Sequence, residues 1–200
     1  MNQQFERTLQ EQLDAIATEI DNGNLADARR AAGEFGEAVT GFYVNELADG
    51  NVVFQHNPGD APQGIDTLFL DDGGDLHAGE SKTIAYGEWH QPSTATTQSG
   101  RQMDQDWVAS RLSDAGVEAK PDDIGPEEGQ VHTDLFYIDI PGDSFGAYFL
   151  AMDGTRSENS PEEMWALSDI IALDTDDGHT DQDQDVTEQN DVEDGEGEAS

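Results

Sequence analysis

The sequence predicts a single α/β domain in which a mixed sheet of about five strands is flanked by helices. Three features predict it: two amphipathic helical patterns at the start, three extended segments in succession after them, and a helix followed by two more extended segments. With 34% apolar residues among 200, the chain can fill one core but is too short for two comfortable ones. The domain is expected over residues 1–173, with a helical extension at 1–23 and a core at 24–153, followed by an acidic tail at 174–200.

Phe5, Leu9, Leu13, Ile16 and Ile20 recur every three or four residues, which predicts a helix with one buried stripe ending at "DNGN". A second helix, capped by Asn24, carries Leu25, Ala28, Ala32, Phe35, Val39, Phe42 and Tyr43 on its apolar side as far as about Leu47, where "ADGN" stops it. "VVFQH" (Val52 to His56), "IDTLFL" (Ile65 to Leu70) and "LHAGESKT" (Leu76 to Thr83) read as strands, the last two joined by the turn "DDGGD". After the polar loop "EWHQPSTATTQSG", the run "RQMDQDWVASRLSDAG" sets Met103, Trp107, Val108 and Leu112 at helical spacing, with Gly116 as terminator. "VHTDLFYIDI" and "FGAYFLAMD" read as a hairpin around "PGDS", and "PEEMWALSDIIAL" as a closing helix with proline in its first turn. From Asp174 onward there are twelve acids and no base, so this segment cannot bury enough surface to offset the entropy of ordering and is expected to be disordered.

The 45 acidic and 8 basic residues give a net charge of −37, which at ordinary ionic strength would make the chain repel itself. Multimolar salt removes that cost, since the Debye length falls to about 3 Å at 1 M. A halophilic protein follows, in which most Asp and Glu form a solvated coat. Absence of cysteine excludes disulfides, thiolate metal sites and cysteine nucleophiles. With no signal-peptide pattern and no apolar run near the ~20 residues a membrane requires, a cytoplasmic protein without a membrane partner is expected. His56, His77, His90, His132 and His179 show no spacing of the HxxxH type, and no phosphate loop, nucleophile elbow or dinucleotide fingerprint occurs. Arg101 and Arg111 share one predicted helix without making a basic stripe, so nucleic acid would have to be held by short-range contacts.

Against that acidic background the two lysines, Lys82 and Lys120, are scarce enough to weigh individually. Side chains alternate along a strand, so Leu76, Ala78, Glu80 and Lys82 share one face of theirs, and Asp66, Leu68 and Leu70 one face of the strand before it. If Leu70 pairs with Leu76 around "DDGGD", Leu68 falls opposite Ala78 and Asp66 opposite Glu80. Opposed residues have Cβ atoms about 4.5–5.5 Å apart and like charges there repel, so two carboxylates in that register favour a cation between them. Mg²⁺ takes one or two carboxylates together with water and substrate phosphate. Lys82, about 6.6 Å further along the same face, could hold a water or a phosphate oxygen for in-line attack on a phosphodiester. The plainer alternative is a strand-edge lysine paired with a neighbouring acid.

"GID" with "ESK" in the next strand resembles the bipartite motif of the PD-(D/E)xK, or restriction-endonuclease-like, nuclease superfamily. "GRQMDQDWVASRL" is similar to the run after the lysine strand in nuclease domains of bacterial polymorphic and contact-dependent toxins, and "GEFGEA" resembles the superfamily's first-helix motif. Isoleucine stands where the family pattern has proline before Asp66. The resemblance implies a core of helix, three strands, helix and strand from about Gly33 to Ile140, and Mg²⁺- or Mn²⁺-dependent cleavage of nucleic acid, DNA foremost. It also implies roles: Asp66, Glu80 and the Ser81 carbonyl ligate the metal, Glu37 completes the site with Glu34 in reserve, Lys82 orients or activates the water, and Gln102 lines the site from its helix. Whether the chain acts as a homodimer, or has a cognate immunity protein as a toxin would, stays open. So do two non-catalytic readings: an acidic nuclease inhibitor that mimics DNA phosphates, and a degenerate member of the fold that serves as a binding module.

Overall fold

The computed structural model describes residues 8–48, 50–55, 65–87, 96–97, 100–114, 116–155 and 163–176. Helix α1 (Leu9–Asp21) begins where Thr8 Oγ1 accepts the Glu11 amide at 3.2 Å while the Glu11 carboxylate accepts the Thr8 amide at 3.2 Å, a reciprocal cap that satisfies two orphan donors. Its stripe buries Leu9 and Ile16; Phe5, expected on the same stripe, lies outside the described residues. Gly23 turns the chain at φ +75°, and α2 (Leu25–Phe42) follows. Asn24 occupies the cap position as expected, but its side chain donates to Glu19 Oε2 at 2.8 Å instead of capping the helix. The helix widens into a π-turn at Tyr43–Leu47, so it ends where "ADGN" predicts.

The strands are β1 (Asn51–Gln55), β2 (Thr67–Leu70), β3 (Leu76–Ile84), the short pair β4 (Thr96–Thr97) and β5 (Gly100–Arg101), then β6 (His132–Asp139), β7 (Ser144–Phe149) and β8 (Glu163–Ala166). His56 of the first strand candidate lies outside the described residues, as does most of the polar loop around β4. Helix α3 (Gln105–Asp114) lies between β5 and β6, and α4 (Leu167–Asp176) follows β8. The main sheet is open and runs β1-β2-β3-β6-β7-β8; β3 and β6 are parallel and every other neighbouring pair is antiparallel. Among the described residues no helix is long and apolar enough to cross a membrane.

The sheet has six strands where about five are expected, and β8 accounts for the difference. The stretch "PEEMWALSDIIAL" reads as one helix, yet Glu163–Ala166 pairs with β7, setting Trp165 beside Phe145 and Met164 beside Gly146. The outer edge of β7 presents backbone groups that need partners, and this tertiary demand outweighs the helical periodicity. Pro161, expected in the helix's first turn, lies outside the described residues. Helix formation starts only at Leu167, where Asp143 of the "PGDS" turn accepts the Ser168 amide at 2.7 Å and its hydroxyl at 2.9 Å. The helix reaches Asp176, so Asp174 and Asp176 belong to it and not to the expected tail; residues 177–200 lie outside the description.

Burial divides the core between the two faces of the sheet. Phe35 and Val39 of α2, Ile16 of α1 and Ile170 of α4 pack with Phe136, Ile138 and Phe145 on one face. Met103, Trp107, Val108 and Leu112 pack with Leu68, Ala78, Leu135 and Tyr148 on the other. Strand β6 is therefore buried on both sides, which is why "DLFYID" reads as a nearly continuous apolar run.

Helix α2 approaches β3 closely at Gly36, where a Cβ would collide with Thr83 Oγ1 and stand 3.5 Å from Ile138 Cδ1. Gly36→Ala is expected to cost about 1–3 kcal/mol through overpacking. The lower urea midpoint this produces should be largely restored when Thr83→Ala is added to the same chain.

Candidate active site

The β2–β3 hairpin keeps the expected register from Leu70↔Leu76 through Leu68↔Ala78, but the ladder ends at Thr67↔Gly79. Asp66 thus stands one residue before β2 instead of within a strand opposite Glu80. It stays tied to β3 all the same: its amide donates to the Gly79 carbonyl at 3.1 Å, and its Oδ2 accepts the Ser81 amide at 2.8 Å. Alternation holds along β3. Ala78 packs on the α3 side, whereas His77 stacks on Phe69 on the opposite face, its ring centroid 4.6 Å away, so His77 points away from Glu80 as expected.

Helix α2 meets the same end of the hairpin. Thr40 Oγ1 and Ser81 Oγ share a hydrogen bond of 2.9 Å, and Gly36 lies against Thr83, so Glu37 is carried in on the helix between these two contacts. The Glu37 pKa is raised to about 7, first by burial, then by the charges of Asp66 and Glu34. Glu80 is only 3% exposed, and its pKa is also raised, by burial and then by Asp66. Lys82 and Gln102 work against that rise, because Lys82 Nζ and Gln102 Nε2 both donate to Glu80 Oε1. The other oxygen, Oε2, is buried with no hydrogen-bond partner.

Asp66, Glu80, Lys82, Glu37 and Gln102 therefore come together at one end of the hairpin, with Glu34 acting on Glu37 from the same helix. Ser81, expected to offer its carbonyl to a metal, engages Asp66 through its amide and Thr40 through its hydroxyl. The residues fit a hard cation on two observations: a buried carboxylate oxygen of Glu80 lacks a donor, and Asp66 repels both glutamates. Among the described residues, no three His, Asp or Glu side chains already stand at distances that would enclose an ion.

The expected position of Gln102 needs correction: it does not lie on a helix. Helix α3 begins only at Gln105, because Asp104 caps it, with Oδ1 accepting the Trp107 amide at 2.8 Å and Oδ2 the Arg101 amide at 3.0 Å. Arg101 belongs to β5, so it does not share a helix with Arg111. Met103, whose side chain is fully buried as expected for a core residue, holds a left-handed backbone at φ +68°. Gly154 lies against this turn, where a Cβ would stand 2.7 Å from the Gln102 carbonyl and 2.8 Å from the Asp104 nitrogen. These constraints aim Gln102 at Glu80 from a strained turn. Neither Thr40 nor Gly154 was singled out from sequence. A hydroxyl on the apolar stripe of α2, fully buried, was the available sign of the first; nothing local marks the second.

Comparison with known families, with characterised proteins and with solved structures finds no match for this chain.

Because folding raises the Glu37 pKa from 4.5 to about 7, the folded state binds a proton that the unfolded state has released over that interval. Stability of the metal-free protein should therefore decline as pH rises from 4.5 toward 7. Glu80, raised over the same interval, contributes to this limb as well, so Glu37→Gln is expected to make it shallower without removing it and to make the protein more stable than wild type above pH 7, as read by urea unfolding across pH.

Proposed function

We propose that this chain is a metal-dependent nuclease with a restriction-endonuclease-like core, cutting nucleic acid, DNA foremost, in high salt. The observation that carries the reading is the meeting of Asp66, Glu80 and Glu37 with Lys82 at one hairpin end, with one Glu80 oxygen buried and unpartnered. The order α2, β1, β2, β3, α3, β6 is consistent with the helix, three-strand, helix, strand core that the resemblance implies.

Asp66, Glu80 and Glu37, with the Ser81 carbonyl, would hold Mg²⁺ or Mn²⁺. The bound ion would supply Lewis-acid stabilisation and lower the pKa of an attacking water. Lys82, whose side chain is 33% exposed while its ammonium rests on Glu80, can hold a water or a phosphate oxygen and offset the negative charge that grows in the transition state. Gln102 fixes the rotation of the Glu80 carboxylate by occupying the same oxygen as Lys82. Glu37 must release its proton before it can act as a ligand, so ion uptake should weaken below about pH 7.

Purified protein in multimolar KCl is expected to cut plasmid with Mg²⁺ or Mn²⁺ and to stop on addition of EDTA. Lys82→Ala and Asp66→Asn should each slow cleavage by roughly 10²–10⁴-fold, with far-UV circular dichroism unchanged. Undiminished cutting by both folded variants would sink the reading. The net charge of −37 favours one other reading, a non-catalytic acidic protein that binds a basic partner as a DNA mimic. In that case wild type and both variants would bind such a partner equally and none would cut.

A further inference from the structure

A second group of titratable side chains lies nearer the β2–β3 turn, independent of the nuclease reading. His77 of β3 and His132 of β6 are neighbours in the parallel ladder, with ring centroids 4.7 Å apart. His77 is 6% exposed, and its Nδ1 lies 2.8 Å from Asp134 Oδ2. An ionised carboxylate only accepts, so Nδ1 is the donor, and it is Nε2 that faces Asp71. That Nε2 is buried without a hydrogen-bond partner and stands 3.6 Å from Asp71 Oδ2. His132 Nε2 is likewise buried without a partner, 4.0 Å from Asp75 Oδ2. Both aspartates are oriented from behind: Asp71 Oδ1 accepts the Asp75 amide at 2.8 Å, and Asp75 Oδ1 accepts the Gly129 amide at 3.2 Å.

We propose that His77, His132, Asp71 and Asp75 form a binding site for a borderline transition-metal ion, Zn²⁺ foremost, which clamps the "DDGGD" turn to the start of β6. Two imidazole nitrogens with two carboxylates select zinc-like ions over Mg²⁺ or Ca²⁺, which prefer oxygen donors alone. The Asp134–His77 contact is the carboxylate–histidine pairing that orients a metal-bound imidazole. Ligand atoms on one tetrahedral zinc stand about 3.3 Å apart, given metal–ligand lengths near 2.0–2.2 Å. His77 Nε2 and Asp71 Oδ2 stand 3.6 Å apart and His132 Nε2 and Asp75 Oδ2 4.0 Å, so each pair is near ligand spacing, and the two pairs must draw together for all four to enclose one ion. The Asp71 side chain is 40% exposed, which leaves a path for the ion from solvent.

The test titrates metal-stripped full-length protein in high salt with Zn²⁺ or Co²⁺. Expected are one ion taken up per chain at this site, a tetrahedral-type visible spectrum with Co²⁺, and a metal-dependent rise in Tm reversed by chelator. His132→Gln should abolish that uptake, and Asp134→Asn should weaken it by about 10- to 100-fold. His77→Gln should also lose it; because that side chain is buried, the decisive variant is His132→Gln, whose side chain is 20% exposed, with its fold checked by circular dichroism. The doubly substituted Asp66→Asn, Glu80→Gln chain should still bind Zn²⁺ and give the same Co²⁺ spectrum, which separates this site from the proposed nuclease centre. No uptake by wild type, unchanged uptake by folded His132→Gln, or loss of uptake in the doubly substituted chain would each overturn the proposal.

Discussion

Glu80 is a carboxylate withdrawn from water on a central strand, and the neighbouring elements are arranged around that cost. A buried anion is tolerated only when donors or cations reach it. Lys82 and Gln102 converge on one of its oxygens, and the other is buried without a donor. Asp66, tied to the Ser81 amide, adds a like charge that makes both Glu80 and Glu37 harder to ionise. Lys82 forms an ion pair with Glu80, and the oxygen left without a donor beside the Asp66 and Glu37 carboxylates is the feature that this pair does not account for and on which the proposed cation site rests.

Two devices hold the arrangement in place, and both work through close backbone approach. Gly36 lets α2 lie against β3, where Thr40 grips Ser81 and Glu37 is delivered beside Asp66. Gly154 lets the chain after β7 lie against the turn at Met103, whose left-handed backbone directs Gln102 at Glu80. Strain of this kind persists only where the surroundings over-determine it, and here it sits next to the candidate chemistry. The same hairpin carries the histidine–aspartate group nearer its turn, so the β2–β3 unit organises both charged clusters.

The acid coat sets the conditions under which either cluster can work. With −37 charges and no basic stripe in the sequence, the chain offers a polyanion no long-range attraction, so the proposed nuclease activity requires bound cations and direct hydrogen bonds for recognition. High salt makes that workable, because it shortens the reach of the repulsion while leaving buried, short-range interactions much less screened.

Much of this molecule is local and therefore readable from sequence. The stripes of α1 and α2, the β2–β3 turn and its register, the alternation that separates His77 from Glu80, and the pairing of a scarce lysine with Glu80 all follow from periodicity and turn chemistry. What sequence could not decide depended on partners distant in the chain. Met164 and Trp165 became a strand because β7 had an open edge, Gln102 left its helix because Asp104 and Gly154 shaped a turn, and Asp66 fell just outside β2 because its carboxylate bonds the Ser81 amide. Periodicity records which face of a segment is apolar. Whether a buried polar group finds a donor is settled only when the elements pack, and that is why the composition of the candidate site was legible while its geometry was not.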